Sequence, residues 1–382
     1  MSTDVAGLPE GWTKRALADV GLVVTGSTPP TEDRTNYGTA YMFASPFDLG
    51  RAKYVEITFK RLSAKGFERS RKVPKDSTLF VCIGSTIGKV GIAGNVLATN
   101  QQINSGIPGP DVNAEFLYYA SLTLSAIVRE QAGEQAVPLV SKSAFSKFEI
   151  LLPPRDEQCQ IANVLGNVDS LIASLERLIA KKRAIKQGMM QRLLTGRTRL
   201  PGYQEPWADT PLRNFLPMQR GFDLPTSKII PGPYPVVYSN GVARHHARAM
   251  VRGPGVVTGR SGTIGAVHFV EKDYWPHNTS LWVTSFARVE ARFAYYFLTH
   301  LGLDRFASGS GVPTFNRNDA HSYLITLPTS REEQEAIAQV LVDVDDEIDA
   351  LQRRHEATRA IKLGMMQELL TGRTRLPVES VP

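Results

Sequence analysis

Thr195-Gly196-Arg197-Thr198-Arg199-Leu200-Pro201 recurs unchanged as Thr371-Gly372-Arg373-Thr374-Arg375-Leu376-Pro377, 176 positions later. With that offset held, Glu157 to Pro201 aligns with Glu333 to Pro377 without a gap, and 28 of the 45 positions are identical. Chance does not produce such agreement, so the chain carries a duplicated segment. The duplication continues more weakly outside it. Trp12, Leu17 and Gly26 match Trp207, Leu212 and Gly221 at offset 195. Thr86-Ile87-Gly88 matches Thr263-Ile264-Gly265, and Phe116-x-Tyr118-Tyr119 matches Phe293-x-Tyr295-Tyr296, both at offset 177. The first copy is therefore 18 residues longer between its Trp and its Thr-Ile-Gly. A repeat this long is no solenoid, whose periods run about 20–50 residues. It implies an internal pseudo-twofold, which suits a two-part target.

The duplicated segments read as long helices. Ile161, Leu165, Val168, Ile172, Leu175 and Ile179 alternate spacings of four and three, as do Ile337, Leu341, Val344, Ile348 and Leu351. That is a heptad seam. Gly196 and Gly372 stand where a C-terminal cap belongs, with Pro201 and Pro377 beyond them. The pattern predicts helices over about 156–194 and 332–370, each roughly 58 Å long. Residues 155–201 hold nine Lys/Arg against four Asp/Glu, and residues 329–382 hold seven against eleven. Opposite charge and a shared seam predict antiparallel pairing. The Gly-Met-Met-Gln stretches near the helix ends carry an adaptable apolar surface, and Met189, Met190, Leu193, Met365, Met366 and Leu369 are read as partner-binding. A Met at helical spacing is also ordinary core material.

The remaining chain divides into variable modules at 1–154 and 202–328. Each reads as α+β, with short strands such as Tyr54–Phe59, Thr78–Ile83, Tyr234–Tyr238 and Gly255–Thr258, and helices over Asn113–Glu130 and Glu290–Leu301. Their Tyr pairs are expected to pack rather than to stack on bases. Residues 51–75 hold nine basic and two acidic side chains, and residues 224–270 hold five basic, three histidines and no acid. Clustered cations of this kind are the footprint of phosphate contact, with a solvated basic face as the plain alternative.

The whole chain of 382 residues carries a net charge of +7. Two cysteines exclude a disulfide framework and a Cys-rich zinc site, and fit a reducing, cytoplasmic setting. No apolar run is long enough to span a bilayer, and Met1 to Glu10 lacks the pattern of a secretory signal. Gly84 to Val90 has three residues between its glycines and Val after Lys89, so it is no phosphate loop for ATP. His245-His246 and His277-Asn278 lack a spaced carboxylate or cysteine set, which favours surface or DNA-facing histidines over a metal. No catalytic triad order or nuclease carboxylate cluster stands out; the chain reads as a binder rather than a catalyst.

The ordered set of Pro-x-x-Trp, Thr-Ile-Gly, Leu-Pro-Pro-x-x-Glu-Gln and Lys-x-Gly-Met-Met-Gln-x-Leu-Leu-Thr-Gly-x-Thr-Arg-Leu, whose Trp, Thr-Ile-Gly, Leu-Pro, Glu-Gln and Lys-x-Gly-Met-Met-Gln stretches return in the second half, resembles the specificity (S) subunits of type I restriction–modification systems over essentially the full length. The resemblance implies an α+β fold with two pseudo-twofold-related target-recognition domains (1–154 and 202–328) and two long antiparallel coiled-coil helices as conserved spacers (155–201 and 329–382). It implies a non-catalytic subunit that reads a bipartite target in double-stranded DNA, one domain per half. Its implied partners are two modification subunits and the restriction subunits, and S-adenosylmethionine, ATP and Mg²⁺ belong to those partners. A modification-only or other defence complex with a different enzymatic partner is the alternative; a self-sufficient nuclease is disfavoured.

Residue chemistry then nominates the readers, since Arg suits guanine and Asn or Gln suit adenine. In the first module these are Ser85, Lys89, Asn100, Gln101 and Gln102, with Arg69, Arg71 and Lys72 on phosphates. In the second they are Arg260, Ser261, His277 and Asn278, with Arg244, Arg248 and Arg252 on phosphates. For the amides, loop capping is the competing role. The stretch Gly259-Arg260-Ser261-Gly262-Thr263 reads as one residue longer than its counterpart before the Thr-Ile-Gly.

Overall fold

The computed structural model describes residues 7–133, 138–308 and 314–377, Ser308 by its backbone alone. Most of Met1 to Glu10 therefore lies outside the described residues. Two units emerge: residues 1–174 with 355–382, and residues 175–354. The longer helices are α1 (Ala114–Gln131), α2 (Arg155–Leu193), α3 (Ala291–Leu301) and α4 (Arg331–Leu369). The two long ones begin and end one residue earlier than the heptad pattern predicts. Each carries acids in its first turn, as a helix N-terminus favours. Ser330 accepts the Glu333 N–H at 3.2 Å and caps α4. Gly196 and Gly372 follow the helix ends at φ +68° and +71°, a left-handed turn that costs glycine little.

The first unit contains a sheet of β1 (Gly21–Thr25), β2 (Tyr54–Val55), β3 (Thr78–Val81), β4 (Val90–Ala93) and β5 (Ile103–Pro108), in spatial order β1-β5-β3-β4-β2. All neighbours are antiparallel except β2, which lies parallel to β4. The strand expected over Tyr54–Phe59 is thus only two residues long, because Thr58 and Phe59 turn away to bond Phe43 and Asp48. A second sheet joins 60–62, 37–44, 97–99 and 72–73. Against the first of these sheets pack α1, the N-terminal part of α2 (Ile161, Ala162, Leu165) and the C-terminal part of α4 (Met366, Leu369) with Leu370, in one core with Trp12, Phe116 and Tyr119.

The second unit contains β6 (Met218–Arg220), β7 (Gly255–Gly259), β8 (Val267–Val270) and β9 (Ser280–Val283), in the order β6-β9-β7-β8. Its core unites α3, the start of α4 (Ile337, Ala338, Leu341) and the end of α2 (Leu193) with Leu194. The order matches that of the first unit with β2 left out. Strands 234–238, 241–246 and 275–276 form a separate sheet.

Pairing registers correct one expectation. Phe80 pairs with Val90, and Thr258 pairs with Val267. Between these anchors and the Thr-Ile-Gly, the second module has one residue fewer than the first, not one more. The reason is that Gly259 belongs to the strand rather than to the loop.

The helices run antiparallel inside each unit. In the second, Lys182 pairs with Glu347 and Lys186 with Asp345 at 2.6 Å; in the first, Lys362 pairs with Asp169 at 2.5 Å. The partner-binding reading is corrected for three of the six helix-end residues. Leu193, Met366 and Leu369 are buried, and Met189, Met190 and Met365 pack on the same cores. Fully burying such a side chain gives about 1.5–3 kcal/mol, which makes Leu193, Met366 and Leu369 core, while Met189, Met190 and Met365 stay half-exposed.

Candidate nucleic-acid interface

Both variable modules are anchored by the same joint. In the first unit, the buried Glu157 carboxylate accepts from Trp12 Nε1 at 3.1 Å and from the Arg375 guanidinium at 2.9 and 3.1 Å. In the second, Glu333 accepts from Trp207 Nε1 at 3.3 Å and from Arg199 at 2.6 and 2.8 Å. The glutamate belongs to one copy of the repeat and the arginine to the other. Gln158 and Gln334 work alongside. Gln158 accepts the Asn113 N–H and donates to Pro153 O and Asp111 O. Gln334 accepts the Glu290 N–H and donates to Pro328 O and Arg288 O. These amides fix the first turns of α1 and α3 against α2 and α4. Tyr119 then donates to Asp169 at 2.7 Å, and Tyr296 donates to Asp345 at 2.8 Å. Burial and the neighbouring carboxylate push both phenols far above their ordinary range. The Tyr pairs are packed, as expected. None of these joint residues was nominated as functional. Their signal was the identity of charged and amide positions between the copies.

On this scaffold the first module gathers several nominees. The Arg71 guanidinium donates to Thr25 O at 2.9 Å and its N–H donates to Ser27 Oγ. Thr28 donates to Gln101, and Gln102 donates to Ile83 O at 3.3 Å. Arg71, Gln101 and Gln102 are thereby linked through segments 25–28 and 83–88, where Ser85 is exposed. Asn100 and Gln102 bond each other twice, at 2.9 and 3.1 Å, so loop capping is a role both perform. Lys89 reaches elsewhere, to Pro46 O at 3.3 Å. Arg69 and Lys72 are paired with Asp33 and Glu68, which reduces their pull on phosphate. Bonds from Thr35 and Lys65 hold Asp33 down to about 2. An exposed patch of Phe47, Ile57 and Phe59, with Arg51 4.2 Å over Phe47, escaped the reading of the sequence. Asp48 holds it in place by accepting from Ser45 and Phe59 N–H at 2.8 Å.

The second module presents the matching position. Arg260 and Ser261 donate backbone N–H groups to Thr279 O, at 2.9 and 3.2 Å, which places them beside His277 and Asn278. The His277 ring lies 4.2 Å from Tyr238, and burial pushes its pKa down. Asn278 donates to Asp223, which also pairs with Arg220 at 2.8 Å. Arg220 and Asp223 are new members of this cluster. His277 and Asn278 occupy the repeat positions of Asn100 and Gln101. A Cβ on Gly221 would stand 2.1 Å from His277 O, and one on Gly26 would stand 2.1 Å from Asn100 O, so each loop requires its glycine. Arg244, Arg248 and Arg252 are exposed within 241–252. His246, expected at the surface, is buried. It accepts the Ile230 N–H and meets Trp275 edge-on at 5.2 Å, because its strand turns it inward.

Residues 9–183 and 231–359 match the type I restriction modification DNA specificity domain. The chain belongs to this family. The MjaIX specificity subunit of Methanocaldococcus jannaschii, a type I restriction enzyme component, is 31% identical over 180 residues, which are 46% of this chain and 42% of that relative. The HindI specificity subunit of Haemophilus influenzae is also 31% identical, over 39% of this chain and 33% of its own length. The alignments thus span less than half of these two relatives. A third, the MjaVIII specificity subunit, is 20% identical across 97% of this chain and 94% of its own. The crystal structure of a type I restriction-modification S subunit from M. genitalium shares the fold at a TM-score of 0.64. It is 17% identical, covering 97% of this chain and 98% of that one.

Proposed function

We propose that this chain is the non-catalytic DNA-recognition subunit of a type I restriction–modification complex in the cytoplasm. Each module reads one half of a bipartite site in double-stranded DNA. The long helices set the spacing of the halves and dock two modification subunits, onto which restriction subunits assemble. S-adenosylmethionine, ATP and Mg²⁺ are bound by those partners. The observation that carries this reading is the equivalence of Asn100-Gln101 and His277-Asn278. Unlike side chains occupy one repeat position, on loops held by the same glycine contact, each within a basic module. Conserved scaffold with divergent tips is what reading two different half-sites requires.

The test is to replace residues 202–328 by the corresponding module of another family member and to sequence the methylated motif made by the reconstituted complex. One half of the motif is expected to change while the other half stays. A change in both halves overturns the reading.

A further inference from the structure

The two sheets differ at one edge. In the first unit β4 is covered by β2. Ile92 N–H donates to Lys53 O at 2.8 Å, and Gly94 N–H donates to Val55 O at 3.1 Å. Lys53, just before β2, then donates to Glu115 at 2.7 Å and to the Tyr119 hydroxyl at 3.2 Å, 4.7 Å over the Tyr119 ring. Val90, Gly91 and Ile92 are consequently buried.

The second unit lacks this cover. Its module is 18 residues shorter in the interval that supplies Lys53, Tyr54 and Val55. Among the described residues, β8 is the last strand of its sheet, and Val267, His268 and Phe269 are all partly exposed. An open cleft of about 650 Å³ lies along β8, with Tyr295, Tyr296 and the α4 carboxylates Asp345, Asp346 and Asp349 on its wall. Asp345 is engaged by Lys186 and Tyr296. Asp346 and Asp349 replace Ser170 and Ala173 of the first copy. Arg292 stands where Glu115 stands and pairs with Glu271, so an incoming cation finds its carboxylates on α4 instead. Lys272 and His245 complete the charged and titratable lining.

We infer that the β8 edge and this cleft dock an extended, basic segment of a partner protein. The segment adds as a fifth, parallel strand and lays a Lys or Arg against Asp346 and Asp349. Strand addition to a free edge takes its affinity from main-chain bonds and its selectivity from side-chain pockets. The chain's own residues 53–55 show the geometry in the first unit. The aspartates select against a phosphate backbone, so a peptide and not DNA fits the place.

The test uses the full chain and a synthetic peptide of residues 51–57, Arg-Ala-Lys-Tyr-Val-Glu-Ile. The peptide is expected to slow backbone hydrogen exchange across 267–271. Glu in place of its Lys brings like charges together and is expected to weaken binding by at least about tenfold. The D346N/D349N chain is expected to lose affinity for the unaltered peptide to a similar extent. No protection of 267–271, protection of 90–94 in its place, or equal binding of the Glu peptide overturns the inference.

Discussion

The two units hold one design with different tolerances. Each joins a module to the start of one long helix and the end of the other, through Glu157 with Arg375 and Gln158 in the first unit, and Glu333 with Arg199 and Gln334 in the second. At these joints the side chains are identical between copies. Away from them they diverge: Lys53 and β2 close a sheet edge in one unit, while the other leaves β8 open. Six of the seven histidines belong to residues 175–354, and the first unit has only His355. The joints must satisfy buried polar groups, which leaves few choices, whereas the sheet edges and tips face a more permissive environment.

The strongest way to break this comparison is through the cores. Leu165 and Leu341 occupy one repeat position and are both fully buried. L165A and L341A are each expected to cost about 2–5 kcal/mol, through lost burial and a residual cavity. Segment-resolved hydrogen exchange under mild denaturant should show L165A loosening residues 1–174 and L341A loosening 175–354. Equal loosening of both units by either variant contradicts the two-unit division. A smaller effect is expected at the joint amides. Gln158→Ala orphans the Asn113 N–H and Gln334→Ala orphans the Glu290 N–H, each at about 1–3 kcal/mol. Denaturant midpoints of the two variants should fall together; a neutral Gln334→Ala removes the joint from the energetic account.

The smallest expected effect is a difference in acid sensitivity. Burial lowers His277, His300 and His321, all in the second unit, below their ordinary 6.5. The unfolded chain then takes up protons before the folded unit does, so stability falls as pH drops below about 7. In the first unit, Asp33 is lowered, from 3.8 to about 2. Its contribution is present above the ordinary carboxylate value and is lost only as pH falls towards 2. Between about pH 7 and 5.5, protection from hydrogen exchange, measured against the intrinsic exchange rate at each pH, should therefore fall in 175–354 and hold steady in 1–174. The same change in protection in both units across this range removes the histidines from the explanation.

The reading of the sequence went furthest where periodicity and repetition coincide. The heptad seam placed both long helices within one residue, since a long apolar stripe can be buried in few ways. Charge asymmetry anticipated the antiparallel pairs Lys182–Glu347 and Lys186–Asp345, whereas Lys362–Asp169 runs the other way and follows from the repeat, which sets the same Lys and Asp in both copies. Leu193, Met366 and Leu369 at the helix ends turned out to be core, because an apolar stripe does not state which surface covers it. The site was partly legible. Residue type nominated Asn100, Gln101, His277 and Asn278, and the folded loops show them to be equivalent. Arg220, Asp223 and the Phe47–Phe59 patch carried no motif and emerged only from contacts between distant segments.

By itself the sequence determined the duplication, the helices and the division into conserved and divergent parts, because repetition and local periodicity are properties of the chain. Which arginine meets which glutamate, which strand edge is covered, and which histidine is buried were decided by tertiary structure alone. Those outcomes depend on side chains more than 100 positions apart, such as Arg375 and Glu157, desolvating one another. No local pattern encodes that balance of burial against pairing.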